Sequence, residues 1–212
     1  MTRKGVDLRV YLVTDAALCG ARGVAETARL AVAGGAGVVQ LREKTLGTRD
    51  FIALARQVME LLANTGARLI INDRVDVALA VGAHGVHVGQ GDMHPQDARR
   101  LLGQEAIVGL SVETMAQATE AEAWDVDYYG VSPVFDTPTK TDTAPALGLD
   151  GLARLRGATR RPLVGIGGIG PQNAGAVIRA GANGVAVVSA LCAATDPKAA
   201  TKKLLAAIMA AR

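Results

Sequence analysis

The chain has 212 residues, half of them hydrophobic, with 25 Gly but an aromatic share of only 3%. That length suits one large α/β core of Val, Ile, Leu and Ala and leaves little room for a second full domain. A net charge of +3, spread along the chain with no aromatics interleaved among basic runs, argues against a nucleic-acid surface and suits an anionic small molecule better.

The amino-terminal "MTRKGVDLRV" carries charges where a signal peptide needs ~7 to 15 apolar residues, and no uncharged run reaches the ~20 strongly apolar residues of a membrane span. Cys19 and Cys192 lie far apart, with no CxxC and no His at metal-ligand spacing, and so read as free thiols in a reducing compartment. The expectation is a cytoplasmic protein with neither membrane nor nucleic-acid partners. The oligomeric state is left open, a homo-oligomer included.

Four short apolar runs, "RVYLVTD", "RLIIND", "AIVGLSV" and "RPLVGIGG", are each rich in Val, Ile or Leu and bounded by polar or Gly residues, as buried parallel strands are. Between them a second phrase recurs, a β-branched strand entered through Gly-Val, at Gly37-Val38, Gly85-Val86, Gly130-Val131 and Gly184-Val185. Its period of roughly 50 residues marks a repeated structural unit, and the two series together predict eight strands.

The segments between read as helices. The clearest is "TRDFIALARQVMELLAN", with Phe51, Leu54, Ala55, Val58, Leu61 and Leu62 on one face, Thr48 as N-cap and Gly66 as the stop. The carboxyl-terminal "KKLLAAIMAAR" reads as a last amphipathic helix. Eight units of about 26 residues predict an α/β fold of the (β/α)8 TIM-barrel type, a single domain over residues 1–212. An open doubly wound sheet is the alternative, but no GxGxxG opens the first helix.

In such a barrel all strand carboxyl ends share one face. That face collects Thr14, Asp15, Gln40, Arg42, Lys44, Asn72, Asp73, Gln90, Asp92, Ser111, "TPTK", "GIGG" and Ser189. Asp73 and Asp92 are hard carboxylate ligands suited to Mg²⁺, although an acidic residue after a strand also caps the next helix. Arg42, Lys44 and Lys140 suit an oligophosphate, although each is also read as a solvated loop charge. Gly167 and Gly168 after the seventh strand, with Ser189 after the eighth, predict a phosphate cup, although Gly also serves tight turns. His84, His87 and His94 have no metal-ligand spacing and read as structural or surface residues. No Ser-His-Asp or Cys-His set supports covalent catalysis.

"YLVTD", "VVQLREK", "LIIND", "GVHVGQGD", "GLSV", "TPTK", "GIGGI" and "VVSA", in this order over nearly the whole chain, resemble the thiamine phosphate synthases. The pairing of QLREK with TPTK is the specific part, since GIGG is shared by many phosphate-binding barrels. The resemblance implies that Gln40, Leu41, Arg42, Glu43 and Lys44, with Asn72, Ser111 and Lys140, bind an aminopyrimidine methyl diphosphate. It implies Mg²⁺ at Asp73 and Asp92, and a thiazole phosphate at Thr137, Pro138, Thr139, Gly168, Val188 and Ser189. It further implies a transferase of thiamine biosynthesis that joins these two phosphorylated substrates and releases pyrophosphate. Arg42, Lys44 and Lys140 would stabilise the leaving group, with no protein nucleophile. Ser132 where Gly is expected, Gly91 where an acidic residue is common, and Asp136 beside TPTK depart from the pattern. The rival readings are a thiazole tautomerase-like isomerase, a sugar-phosphate isomerase or epimerase, and a non-catalytic phosphate sensor.

Overall fold

A computed structural model of the chain describes residues 5–136 and 145–212. Eight parallel strands, β1 Val10–Val13, β2 Val38–Leu41, β3 Arg68–Asn72, β4 Gly85–Val88, β5 Ile107–Val112, β6 Tyr128–Val131, β7 Leu163–Ile166 and β8 Gly184–Val187, pair in sequence order. The pairing of β1 with β8, Val10 opposite Val185, closes the barrel.

Around the strands lie α1 Ala16–Cys19, α2 Val24–Ala33, α3 Thr48–Leu62, α4 Val75–Val81, α5 Pro95–Leu102, α6 Met115–Ala121, α7 Gly148–Ala158, α8 Ala174–Arg179, α9 Ser189–Cys192 and α10 Pro197–Met209. Helix α10 packs on α2 and α8 and closes the outer ring. Among the described residues no helix is long and apolar enough to cross a membrane. Cys19 and Cys192 are buried free thiols with no disulfide between them.

Strand side chains alternate between two cores, because successive Cβ atoms of a strand point to opposite faces. Val10, Leu12, Val39, Leu41, Leu69, Ile71, Val86 and Val88 pack outward against the helices. Tyr11, Val13, Val38, Ile70, Ile107, Tyr128, Val164 and Ala186 fill the barrel interior. The interior is therefore a packed plug, and only its upper end is free to form a site.

Two local expectations are corrected. Helix α3 takes Gly47 as its N-cap, with Thr48 already in the first turn, because residue 47 has the extended φ/ψ of a cap while no side chain supplies the bond. Gly130-Val131 does not open its strand: β6 begins two residues earlier at Tyr128, and Gly130 is an interior position of the strand.

The amino-terminal face is tied by Arg99 of α5, which is buried. Its guanidinium donates to Asp127 Oδ2 at 2.7 Å, to Gly103 O at 3.3 Å and to the carbonyl of Ala106, while Asp127 Oδ2 also accepts from Val108 N at 2.8 Å. One planar fork thus satisfies the end of α5 and the approaches to β5 and β6 together. Arg99→Ala leaves the Asp127 carboxylate buried without its partner, and urea unfolding is expected to show a loss of about 3 to 5 kcal/mol.

Candidate active site

The strand carboxyl ends enclose a cavity of about 550 Å³. Gln40, Arg42, Lys44, Asn72, Asp73, Asp92, Ser111, Gly168, Val188 and Ser189 all line it, so residues from six strands and their loops meet as the barrel reading expected. Leu41 and Glu43, expected with them, do not line it. Leu41 alternates with Gln40 on β2 and therefore packs outward among the helices. Glu43 turns back on its own loop, where Oε1 accepts from Lys44 N at 2.8 Å, Thr45 N at 2.7 Å and Thr45 Oγ1 at 2.9 Å. Burial works to raise the Glu43 carboxyl, but these donors outweigh it and hold the group below the usual range. Thr137, Pro138, Thr139 and Lys140 lie outside the described residues. Of the three departures from the family pattern, Ser132 and Gly91 line the cavity and Asp136 does not.

One wall is charged. Asp73 directly follows β3 in the left-handed region at φ 61°, a conformation Asp tolerates better than most residues, with its N–H donated to His87 O at 2.8 Å. That turn aims its carboxylate at Lys44 Nζ, 2.6 Å away. Asp92 is anchored by Gly89 N at 2.8 Å. Partial burial raises its pKa, and a hydrogen bond and charge repulsion from Asp73 raise it further. Arg42 stands 4.0 Å from Asp15, with its backbone N–H held by Thr14 Oγ1 at 3.0 Å.

Two carboxylates that crowd each other are the donor set that a hard divalent cation relieves, with water and phosphate oxygens completing its shell. Asp73 and Asp92 fit Mg²⁺ in that sense. Among the described residues no group of three or more His, Cys, Asp or Glu side chains converges.

The opposite wall carries the turns after β7 and β8. Gly167 and Gly168 have φ of 105° and 62°, and a Cβ on Gly168 would come within 2.8 Å of Asp136 O. Ser189 opens α9, a short extra helix directly after β8, and lines the cavity with Val188. Loops after the seventh and eighth strands with such a helix form the recurring phosphate site of these barrels.

The floor holds residues that motif spacing missed. Gln40 Nε2 donates to Tyr11 Oη at 2.8 Å, Tyr11 Oη lies 2.7 Å from Tyr128 Oη, Tyr128 Oη lies 2.9 Å from His87 Nδ1, and His87 Nε2 lies 2.9 Å from Ser111 Oγ. His87, read as a structural or surface residue, is buried and also lines the cavity. Its signal was the alternation in "GVHVG", which puts His87 on the face opposite Val86 and Val88. Burial depresses the His87 pKa to about 4 and raises those of Tyr11 and Tyr128, so all three are neutral near pH 7.

A closed (β/α)8 barrel that gathers paired carboxylates, cations and glycine turns around one cavity at its strand carboxyl ends has the form of an enzyme site for a small molecule. The thiamine monophosphate synthase family model matches residues 10–191. Thiamine-phosphate synthase of Albidiferax ferrireducens is 56% identical over 197 residues, covering 93% of this chain and 90% of that protein. The Xanthobacter autotrophicus enzyme of the same name is 52% identical over 209 residues, 99% of each chain. Thiamine phosphate pyrophosphorylase from Pyrococcus furiosus superposes with a TM-score of 0.89 at 35% identity, covering 97% of this chain and 98% of that one. A 3-hexulose-6-phosphate synthase, at 20% identity and a TM-score of 0.68, shares the fold alone. The chain belongs to the thiamine monophosphate synthase family, which is a family of transferases.

Because His87 titrates at about 4 when folded and near 6.5 when unfolded, the unfolded chain takes up the proton first as pH falls. Stability is therefore fully present above that window and is lost through it, by ~3 kcal/mol if the whole shift is expressed. Urea midpoints measured across this range should fall for the wild type and fall less steeply for His87→Gln.

Proposed function

We propose that this chain condenses 4-amino-2-methyl-5-hydroxymethylpyrimidine diphosphate with hydroxyethylthiazole phosphate, giving thiamine phosphate and pyrophosphate. The observation that carries the reading is a pair of walls above one polar floor, Arg42, Lys44, Asp73 and Asp92 on one side and Gly168, Val188 and Ser189 on the other, which we read as two anion sites. An enzyme with one phosphorylated substrate needs only one such wall.

In this reading Gln40, Asn72 and Ser111 orient the pyrimidine, and Arg42, Lys44 and Lys140 bind its diphosphate. Asp73 and Asp92 would hold Mg²⁺, which when bound neutralises charge on the diphosphate. Thr137 and Thr139, with Gly168, Val188 and Ser189, hold the thiazole phosphate. The bond from the methylene carbon to the diphosphate oxygen breaks with its electron pair leaving on pyrophosphate. The aminopyrimidine ring delocalises the cation that remains, and the thiazole nitrogen donates its lone pair to that carbon. The chain contributes electrostatic stabilisation of the departing anion and the alignment of two substrates, and no nucleophile of its own.

Purified protein given both substrates and Mg²⁺ should yield thiamine phosphate and pyrophosphate by mass, with no product when either substrate is omitted. Thiazole isomerisation in the absence of the diphosphate would instead make it an isomerase. Arg42→Ala removes a hydrogen bond to a charged group and should lower kcat/KM for the diphosphate about 10- to 150-fold, with the melting temperature little changed. Wild-type kinetics in this variant would dismiss Arg42 from the site.

A further inference from the structure

We propose that Tyr128 is a positioning residue that sets the direction of hydrogen bonding across the pocket floor, so that the site meets its pyrimidine with an acceptor at Gln40 and a donor at Ser111. The proposal rests on the pyrimidine reading given above.

The direction follows from counting protons. Gln40 spends one of its two Nε2 protons on Tyr11 Oη, which fixes the amide orientation and leaves Oε1 as its acceptor for the cavity. Tyr11 has a single hydroxyl proton, and the oxygen of Tyr128 stands 2.7 Å away to take it. Tyr128 then directs its own proton to His87 Nδ1 at 2.9 Å. A neutral imidazole that accepts at Nδ1 carries its proton on Nε2, which faces Ser111 Oγ at 2.9 Å. Ser111, having accepted, keeps its hydroxyl proton for the cavity. An aminopyrimidine edge has the matching pair, a donating amino group and an accepting ring nitrogen.

The Tyr128–His87 link sits in a slot made for it. A Cβ at Gly109 of β5 would stand 2.2 Å from Tyr128 Cζ and 2.5 Å from His87 Nδ1, and one at Gly130 of β6 would stand 2.9 Å from His87 Cε1. Glycine inside a strand weakens it, so two on adjacent strands mark a place where close approach matters more than strand strength. The Tyr128 hydroxyl is committed to Tyr11 and His87, and acts through them.

The test uses the full chain labelled with ¹⁵N. Long-range ¹H–¹⁵N correlation reads the tautomer of each of the three histidines, assigned with His84→Gln and His94→Gln. His84 and His94 serve as references, since each accepts a backbone N–H at Nδ1. Wild-type His87 is expected as the Nε2–H form. Tyr128→Phe should mix its tautomers and raise KM for the pyrimidine diphosphate about tenfold, while KM for the thiazole phosphate and kcat move little. A simple loss of stability would not separate the two substrates in this way. Wild-type His87 in the Nδ1–H form, or an unchanged pyrimidine KM in folded Tyr128→Phe, overturns the proposal. If Tyr128→Phe does not fold, the wild-type tautomer alone decides the direction. If the wild type makes no thiamine phosphate, the functional reading fails separately, because the tautomer is measured without substrate.

Discussion

Closure of eight parallel strands is the constraint from which the rest of this molecule follows. Once β1 pairs with β8, strand direction is common to all eight, and every residue that ends a strand is delivered to one rim. The two-residue alternation then sorts each strand into an outward apolar set and an inward set. Gln40, His87 and Ser111 are inward positions of β2, β4 and β5, which is why residues far apart in the chain hydrogen-bond through one another.

Above that floor the site is built from charges whose mutual opposition is only partly resolved. Lys44 neutralises Asp73, and Arg42 stands near Asp15, but partial burial and then the nearness of Asp73 still raise the Asp92 pKa. A surface arranged for stability alone would separate two such carboxylates. The tension suits a site that is completed by ligands, with the rigid barrel holding the groups in position. The buried Arg99–Asp127 tie at the opposite face holds its charges 2.7 Å apart, and it divides the barrel into a stabilising end and a reactive end.

Much of this was legible in the chain. The eight apolar runs are short, β-branched and evenly spaced, so strand number and barrel closure could be read from pattern. QLREK, IND, GQGD and GIGG end their strands with polar residues that a closed barrel must bring together. The failures came where a residue's direction mattered more than its type. Leu41 and Glu43 sit inside the most specific motif, yet one points to the helices and the other caps its own loop. Gly130 looked like a strand opening because it precedes Val131, whereas it is an interior residue whose missing side chain makes room for His87.

The sequence by itself determined the element order, the family and the identity of the charged groups at the strand ends, because these depend on local pattern and on residue type. Tertiary structure alone decided which groups share a hydrogen bond. Tyr11, Tyr128 and His87 carry no spacing that announces a partnership, since they lie on β1, β6 and β4 and meet only across the barrel interior. Their connection depends on register, on the inward phase of each strand and on the space left by two glycines, and those quantities exist only once the sheet has closed.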